Sequence, residues 1–183
     1  MDSLQTILRK LSIFRDCRAA HIRDVLKICS SRTFKADERL CSHGEKSEEM
    51  FIILSGRVEI DAADGSPLLS ETAVTIIGEA GLLTGQPRLA TVVAQTDVKA
   101  LVISRSTLMP KLSEDPVLAS LIYRNVLFIE RSKLIASNER IAQLLQEVAE
   151  NDEYALSDED GEVEEDEYES GEGGDATEEV EAA

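Results

Sequence analysis

Between Gly78 and Thr91 the chain reads Gly-Glu-Ala-Gly-Leu-Leu-Thr-Gly-Gln-Pro-Arg-Leu-Ala-Thr. This stretch sets a carboxylate, Glu79, and a guanidinium, Arg88, at opposite ends of a short loop. Arg88 offers a planar fork of donors suited to two phosphate oxygens, where lysine gives only a point charge. Glu79 can accept the hydrogen of a sugar hydroxyl. Between them, Ala80-Gly81-Leu82-Leu83 fit one helical turn whose leading N–H groups face an anion. Gly78 and Gly81 let the backbone approach a ligand closely. Gly85-Gln86-Pro87 then reverses the chain and returns Arg88 to the mouth of the loop. Together these groups supply what is needed to hold a small sugar phosphate.

Such a loop needs a rigid frame. Upstream of it, Thr33-Phe34, Arg39-Leu40-Cys41 and Met50-Phe51-Ile52-Ile53-Leu54 read as short strands broken by turn residues. Arg57-Val58-Glu59-Ile60 alternates polar and apolar residues, as on a half-buried strand. Asp64-Gly65 marks a hairpin turn. Leu68-Leu69, Val74-Thr75-Ile76-Ile77, Ala90-Thr91-Val92-Val93-Ala94 and Val98 to Ile103 continue the series. Short strands at this spacing predict a small sandwich or barrel.

Helices flank the strands. Leu4, Ile7, Leu8 and Leu11 recur at helical spacing, as do Ile22, Val25, Leu26 and Cys29. Ser104 is placed to cap a helix through Leu112. Pro116 stands where a further helix begins. From there to Glu150 the sequence has no glycine and no later proline, which predicts an unbroken helix on the order of 50 Å long. Ile141, Leu144, Leu145 and Val148 form an apolar stripe at its far end, either folded back on the strands or forming a homodimer seam along helix 116–150. The predicted organisation is N-terminal helices at 1–30, a β-barrel at 31–104 with its binding loop at 78–91, C-terminal helices at 105–150 and a disordered acidic tail at 151–183.

The formal net charge of −17 over 183 residues is concentrated in that tail. Of the 36 Asp and Glu, 16 lie from Asn151 onward, with no Lys or Arg among them; the rest of the chain holds 20 acidic against 19 basic residues. A tail of Glu, Asp, Gly and Ala cannot bury enough apolar surface to offset its ordering entropy. It is either a solubilising appendage or bait for a basic protein partner. The near-neutral remainder carries no basic footprint for nucleic acid. Cys17, Cys29 and Cys41 are odd in number and lack metal-ligand spacing, which fits three ordinary thiols in a reducing compartment. No segment approaches 18 uncharged apolar residues, so no membrane span is expected. The N-terminus lacks a signal-peptide core, and a cytoplasmic location follows.

The ordered set Gly-Glu, then Leu-Leu-x-Gly-x-Pro-Arg, then Ala-Thr-Val resembles the phosphate-binding cassette of cyclic nucleotide-binding domains. Gly44-Glu45 followed by Met50-Phe51-Ile52-Ile53-Leu54-Ser55-Gly56-Arg57-Val58 resembles that family's turn and its third and fourth strands. The likeness runs over roughly residues 5–135 and is to domains of the catabolite activator and protein kinase A regulatory subunit kind. It implies a mainly β fold, an eight-stranded jelly-roll barrel with N-terminal helices and a long C-terminal helix. It also implies a cyclic nucleotide ligand held by Gly78, Glu79, Ala80, Gly81, Arg88, Leu89 and Ala90, with Glu79 on the ribose 2′-OH and Arg88 on the phosphate. Where the family usually has Gly-Asp before the Met-Phe-Ile strand, Ser47-Glu48 stands here, and a looser turn is expected. Leu89 replaces the small or hydroxyl residue usual after the arginine. That argues against a guanine-specific hydrogen bond, so cyclic AMP is favoured over cyclic GMP, and a bulky leucine is expected to crowd the pocket.

Two function classes are weighed. One is a stand-alone, non-enzymatic cyclic nucleotide sensor that relays binding through its C-terminal helix to a partner. The other is a degenerate domain, with Glu79 and Arg88 paired to each other or to solvent, that acts as an interaction module through the long helix and the tail. A DNA-binding transcription factor is disfavoured, since only acid follows Glu150 and would repel phosphate. No catalytic residue and no metal site are expected. His21 and His43 have no nucleophile or carboxylate partner by spacing and read as surface or capping histidines.

Overall fold

The computed structural model describes residues 2–158, with side chains described for 4–150. Two compact units divide the chain, residues 1–137 and 138–183. In the first, α1 (Asp2–Lys10), a 3-10 turn (Ser12–Phe14) and α2 (Ala19–Lys27) precede the strands. The described strands are β1 (Cys29–Phe34), β2 (Arg39–Cys41), β3 (Glu49–Ser55), β4 (Arg57–Asp61), β5 (Pro67–Thr72), β6 (Thr75–Ile77), β7 (Thr91–Ala94) and β8 (Val98–Ser104). A short helix, α3 (Glu79–Thr84), lies between β6 and β7. The helices α4 (Arg105–Glu114) and α5 (Pro116–Asp158) follow β8.

The strands make two four-stranded antiparallel sheets, ordered β1-β8-β3-β6 and β2-β7-β4-β5. The chain crosses between sheets at nearly every connection, the topology of a jelly roll. The exception is the β4–β5 hairpin. There Asp64 accepts from the Ser66 amide at 2.9 Å and Gly65 takes φ +85°, as the Asp-Gly pair requires.

The period-two alternation of the strands explains two separate cores. Phe51 and Ile53 of β3 face inward with Phe34, Val58, Val92, Ala100 and Val102. Met50 and Ile52 of the same strand, with Leu101 and Ile103 of β8, face the other way. They pack against Leu8, Ile22, Val25, Leu108, Leu118 and Ile122 from the helices. Because both faces of β3 are buried, its sequence reads as a continuous apolar run rather than an alternating one. Asn125 of α5 is the polar bolt of this helical layer. Its amide is 1 % exposed and donates to the backbone oxygens of Ile13 (3.0 Å) and Arg15 (2.8 Å).

Several expectations are corrected. Cys29 is not the last residue of a helical stripe; α2 ends at Lys27, and Cys29 opens β1 in register with Ile103. The sheet therefore starts two residues before position 31, and Thr33-Phe34 is the end of a six-residue strand. Ser104 occupies the N-cap position of α4, but its hydroxyl meets those of Ser106 and Thr107, at 3.0 and 2.9 Å, instead of a backbone N–H. Asp115 caps α5, accepting from the Leu118 amide at 3.0 Å. His21 is buried rather than on the surface, with Nε2 3.0 Å from the Arg18 guanidinium and 3.5 Å from Asp115.

In the second unit, α5 continues to Asp158, and Ile141, Leu144, Leu145 and Val148 are all exposed. Most of the acidic tail expected at 151–183 lies outside the described residues.

Candidate ligand-binding site

The loop after β6 is shaped by two left-handed glycines. Gly78 (φ +85°) opens α3 and Gly85 (φ +76°) closes it. A side chain at Gly78 would be strained by that φ and would also meet Arg88: an added Cβ lies 1.9 Å from Nη1. The Leu82 amide is the first to return a helical bond, to Gly78 O at 3.1 Å, so the Ala80 and Gly81 amides sit at the open end of the turn. Arg105, the first residue of α4, donates to Leu82 O and ties the turn to the helical layer.

The Arg88 backbone is bound to the turn between β2 and β3. Gly44 N–H donates to Arg88 O at 2.9 Å, and Arg88 N–H donates to Glu45 O at 2.8 Å. Arg88 is 7 % exposed, its guanidinium over the Phe51 ring at 5.5 Å and its Nη2 donating to Glu49 O. Its Nε and Nη1 have no partner. Ser47, 3 % exposed, likewise has a hydroxyl with no partner. The turn carrying it is not loose. Glu48 N–H donates to Lys46 O at 3.1 Å, and Glu48 O accepts from the Arg105 amide at 2.7 Å.

Glu79 does not pair with Arg88. It is 2 % exposed, and its Oε1 accepts from Lys133 Nζ of α5 at 2.5 Å. Lys133 also donates to Glu130 at 3.0 Å. Burial pushes the Glu79 carboxyl above its ordinary range, and the Lys133 ammonium offsets this only in part. Burial works against the charge on Lys133, but Glu79 and Glu130 together hold its ammonium above the ordinary value.

These groups surround one cavity of about 410 Å³, within the size range of small-molecule sites. Gly78, Glu79, Ala80, Gly81, Arg88, Leu89 and Ala90 all line it. Val74, Ile76, Ile77 and Val92 give it an apolar wall, and Ile129, Glu130 and Lys133 bound it from α5. Leu89 does not crowd the interior; it is 82 % exposed at the rim. Lys133 and Ser47 were missed by sequence reasoning. A lysine on a helix carries no signal for a carboxylate 54 positions earlier, and a serine beside a turn reads as a turn residue. Among the described residues, no three His, Cys, Asp or Glu side chains group to hold a metal ion. No described helix is long and apolar enough to cross a membrane.

The jelly roll and the cavity lined by the Gly78–Arg88 loop define a class, and comparison with known proteins agrees on it. Residues 31–115 match the family profile "Cyclic nucleotide-binding domain". Over 121 residues the chain is 28% identical to a cyclic nucleotide-gated potassium channel of Rhizobium etli, spanning 66% of this chain and 34% of that protein. Over 137 residues it is 28% identical to the cyclic nucleotide-gated channel beta-3 of Canis lupus familiaris, spanning 72% of this chain and 18% of the channel. The chain thus spans about a third or less of these relatives. Among solved structures, the N-terminal domain of a transcriptional regulator from Streptomyces coelicolor aligns with a TM-score of 0.62 at 25% identity, covering 69% of this chain and 94% of that one. A cyclic nucleotide-binding domain from Methylobacillus flagellatus aligns at 0.66 and 24% identity, covering 76% and 81%, and shares the fold. Residues 31–115 thus match the cyclic nucleotide-binding domain family, the fold is the one seen in a solved cyclic nucleotide-binding domain, and no DNA-binding domain is evident among the described residues.

Proposed function

We propose that this protein is a non-enzymatic receptor for a cyclic mononucleotide, with cyclic AMP favoured over cyclic GMP, and that α5 passes occupancy on to a partner. One observation carries this reading: Arg88 is buried with two N–H groups unpaired, in a cavity that Glu79 also lines. A buried guanidinium with orphan donors is costly, and an anionic ligand with acceptor oxygens removes that cost. Glu79 then takes the ribose 2′-OH, Gly78 to Gly81 border the phosphate, and Leu89 and Ala90 flank it at the rim. The apolar wall of Val74, Ile76 and Ile77 offers a surface for a purine.

Relay follows from the position of Lys133. Binding that engages Glu79 competes with the Lys133 contact and so biases α5. The bias can be no larger than the ligand's differential affinity for the two arrangements. Isothermal calorimetry with cyclic AMP and cyclic GMP is the test. Measurable binding of cyclic AMP supports the assignment. An absence of heat and of thermal stabilisation at millimolar nucleotide overturns it.

One observation favours the alternative, a domain that has lost its ligand and serves as an interaction module: Glu79 is already satisfied by Lys133. Leu127, Phe128 and Leu134 of α5 are also exposed, and offer apolar surface for a partner or a second copy. The same titration separates the two readings.

A further inference from the structure

Four buried side-chain polar atoms among the described residues lack a hydrogen-bond partner, and three of them belong to this one cavity: Arg88 Nε, Arg88 Nη1 and Ser47 Oγ. Native proteins leave few such atoms, so three in one place mark a missing partner. Its chemistry is set by the donors. A guanidinium cannot accept a hydrogen bond, so its partner is an acceptor, and one anion with several oxygens can serve all three atoms. Ser47 reaches the cavity because position 81 has no side chain: an added Cβ at Gly81 would lie 2.2 Å from Ser47 Oγ and 2.8 Å from its Cβ. The Ser47 hydroxyl therefore stands directly against the first turn of α3. The position after Arg88, by contrast, offers no hydroxyl, since Leu89 is apolar and turned to solvent.

We infer that Ser47 is an anion-binding residue of this protein, its hydroxyl donating alongside Arg88 to the bound phosphate. The inference deepens the nucleotide reading, but it rests on the anion site and is testable without a nucleotide. Its signature is a trade of stability for binding. An orphan hydroxyl weakens the ligand-free fold, so removing it leaves that fold as stable or more stable while weakening binding. A serine kept only for packing would show no loss of binding.

The experiment compares wild type with Ser47→Ala, using inorganic phosphate and cyclic AMP as separate probes, with chloride at matched ionic strength as control. Affinity is read from calorimetry and from the ligand-dependent rise in melting temperature. The expected result is a ligand-free melting temperature no lower than that of wild type, with affinity for phosphate or cyclic AMP reduced on the order of ten-fold, as for a hydrogen bond to a charged group. Equal affinities in the two proteins overturn the inference, as does a wild type that binds neither probe. If wild type binds phosphate but not cyclic AMP, and Ser47→Ala weakens it, the Ser47 site stands while the nucleotide assignment fails.

Discussion

Lys133 Nζ lies 2.5 Å from Oε1 of Glu79, joining α5 to the loop that frames the cavity. The carboxylate end of this pair is buried and the ammonium end is 57 % exposed. It is an asymmetric contact: Glu79 depends on Lys133 for charge compensation, whereas Lys133 has water and Glu130 as well.

That asymmetry predicts a pH signature. A carboxyl whose folded pKa is raised contributes stability that is present below its unfolded pKa and lost as pH rises through the folded one. Lys133→Met removes what partly offsets the rise at Glu79. The deficit of Lys133→Met against wild type should be small near about pH 4, where Glu79 is protonated in both proteins, and should widen toward neutrality. At about pH 7 it should reach roughly 1–2 kcal/mol, less than for a fully buried pair because the ammonium is half solvated. Urea unfolding at several pH values checks this; a pH-independent deficit would show that the ion pair is not its source.

Arg88 joins binding to local structure. Arg88→Ala should abolish detectable nucleotide binding, a loss of at least about 100-fold, in keeping with truncation of a buried charge contact. Its cost to folding should be only about 1 kcal/mol. The Phe51 contact and the bond to Glu49 O are lost, but two unpaired donors go with them. Arg88→Lys should keep the charge but lose the fork and bind at an intermediate level. Calorimetry paired with chemical denaturation separates the two effects.

Gly78 and Arg88 should be coupled. Gly78→Ala meets both a positive φ and the Arg88 guanidinium, and should cost about 2 kcal/mol or more. In an Arg88→Ala background the backbone strain and a 3.3 Å approach to Glu49 O remain, but the clash with the guanidinium is gone. A double-mutant cycle should therefore show a coupling of about 0.5–3 kcal/mol. Additive effects would mean that the close approach to Arg88 carries no energy.

Asn125 should prove one of the more sensitive polar positions of the helical layer. Asn125→Leu removes the donor from two backbone oxygens, Ile13 and Arg15, and should destabilise the fold by about 2–3 kcal/mol while leaving the cavity residues in place. Thermal denaturation in parallel with ligand binding measures both outcomes.

Much of this architecture is legible in the residues themselves, since its causes are local. Alternation in Arg57–Ile60, the Asp64-Gly65 turn, Pro116 at a helix start and the glycines bracketing Glu79 act over a few positions. Their conformational preferences survive into the fold. The expectation of an anion-binding loop likewise rests on the residue types of one short span, Gly78–Arg88. Where local signals compete the sequence misleads: Cys29 extends a helical stripe by spacing, yet pairing with Ile103 draws it into β1.

Tertiary structure decided everything that depends on residues far apart. It buried Ser47 against Gly81, laid Arg88 over Phe51, turned Leu89 out to solvent and brought Lys133 to Glu79. None of these contacts has a sequence period, because each arises from the packing of separate elements through a shared core. The cassette's chemistry was thus written in adjacent residues. Which of its charged groups are paired, and which keep unpartnered donors, was settled by long-range packing alone.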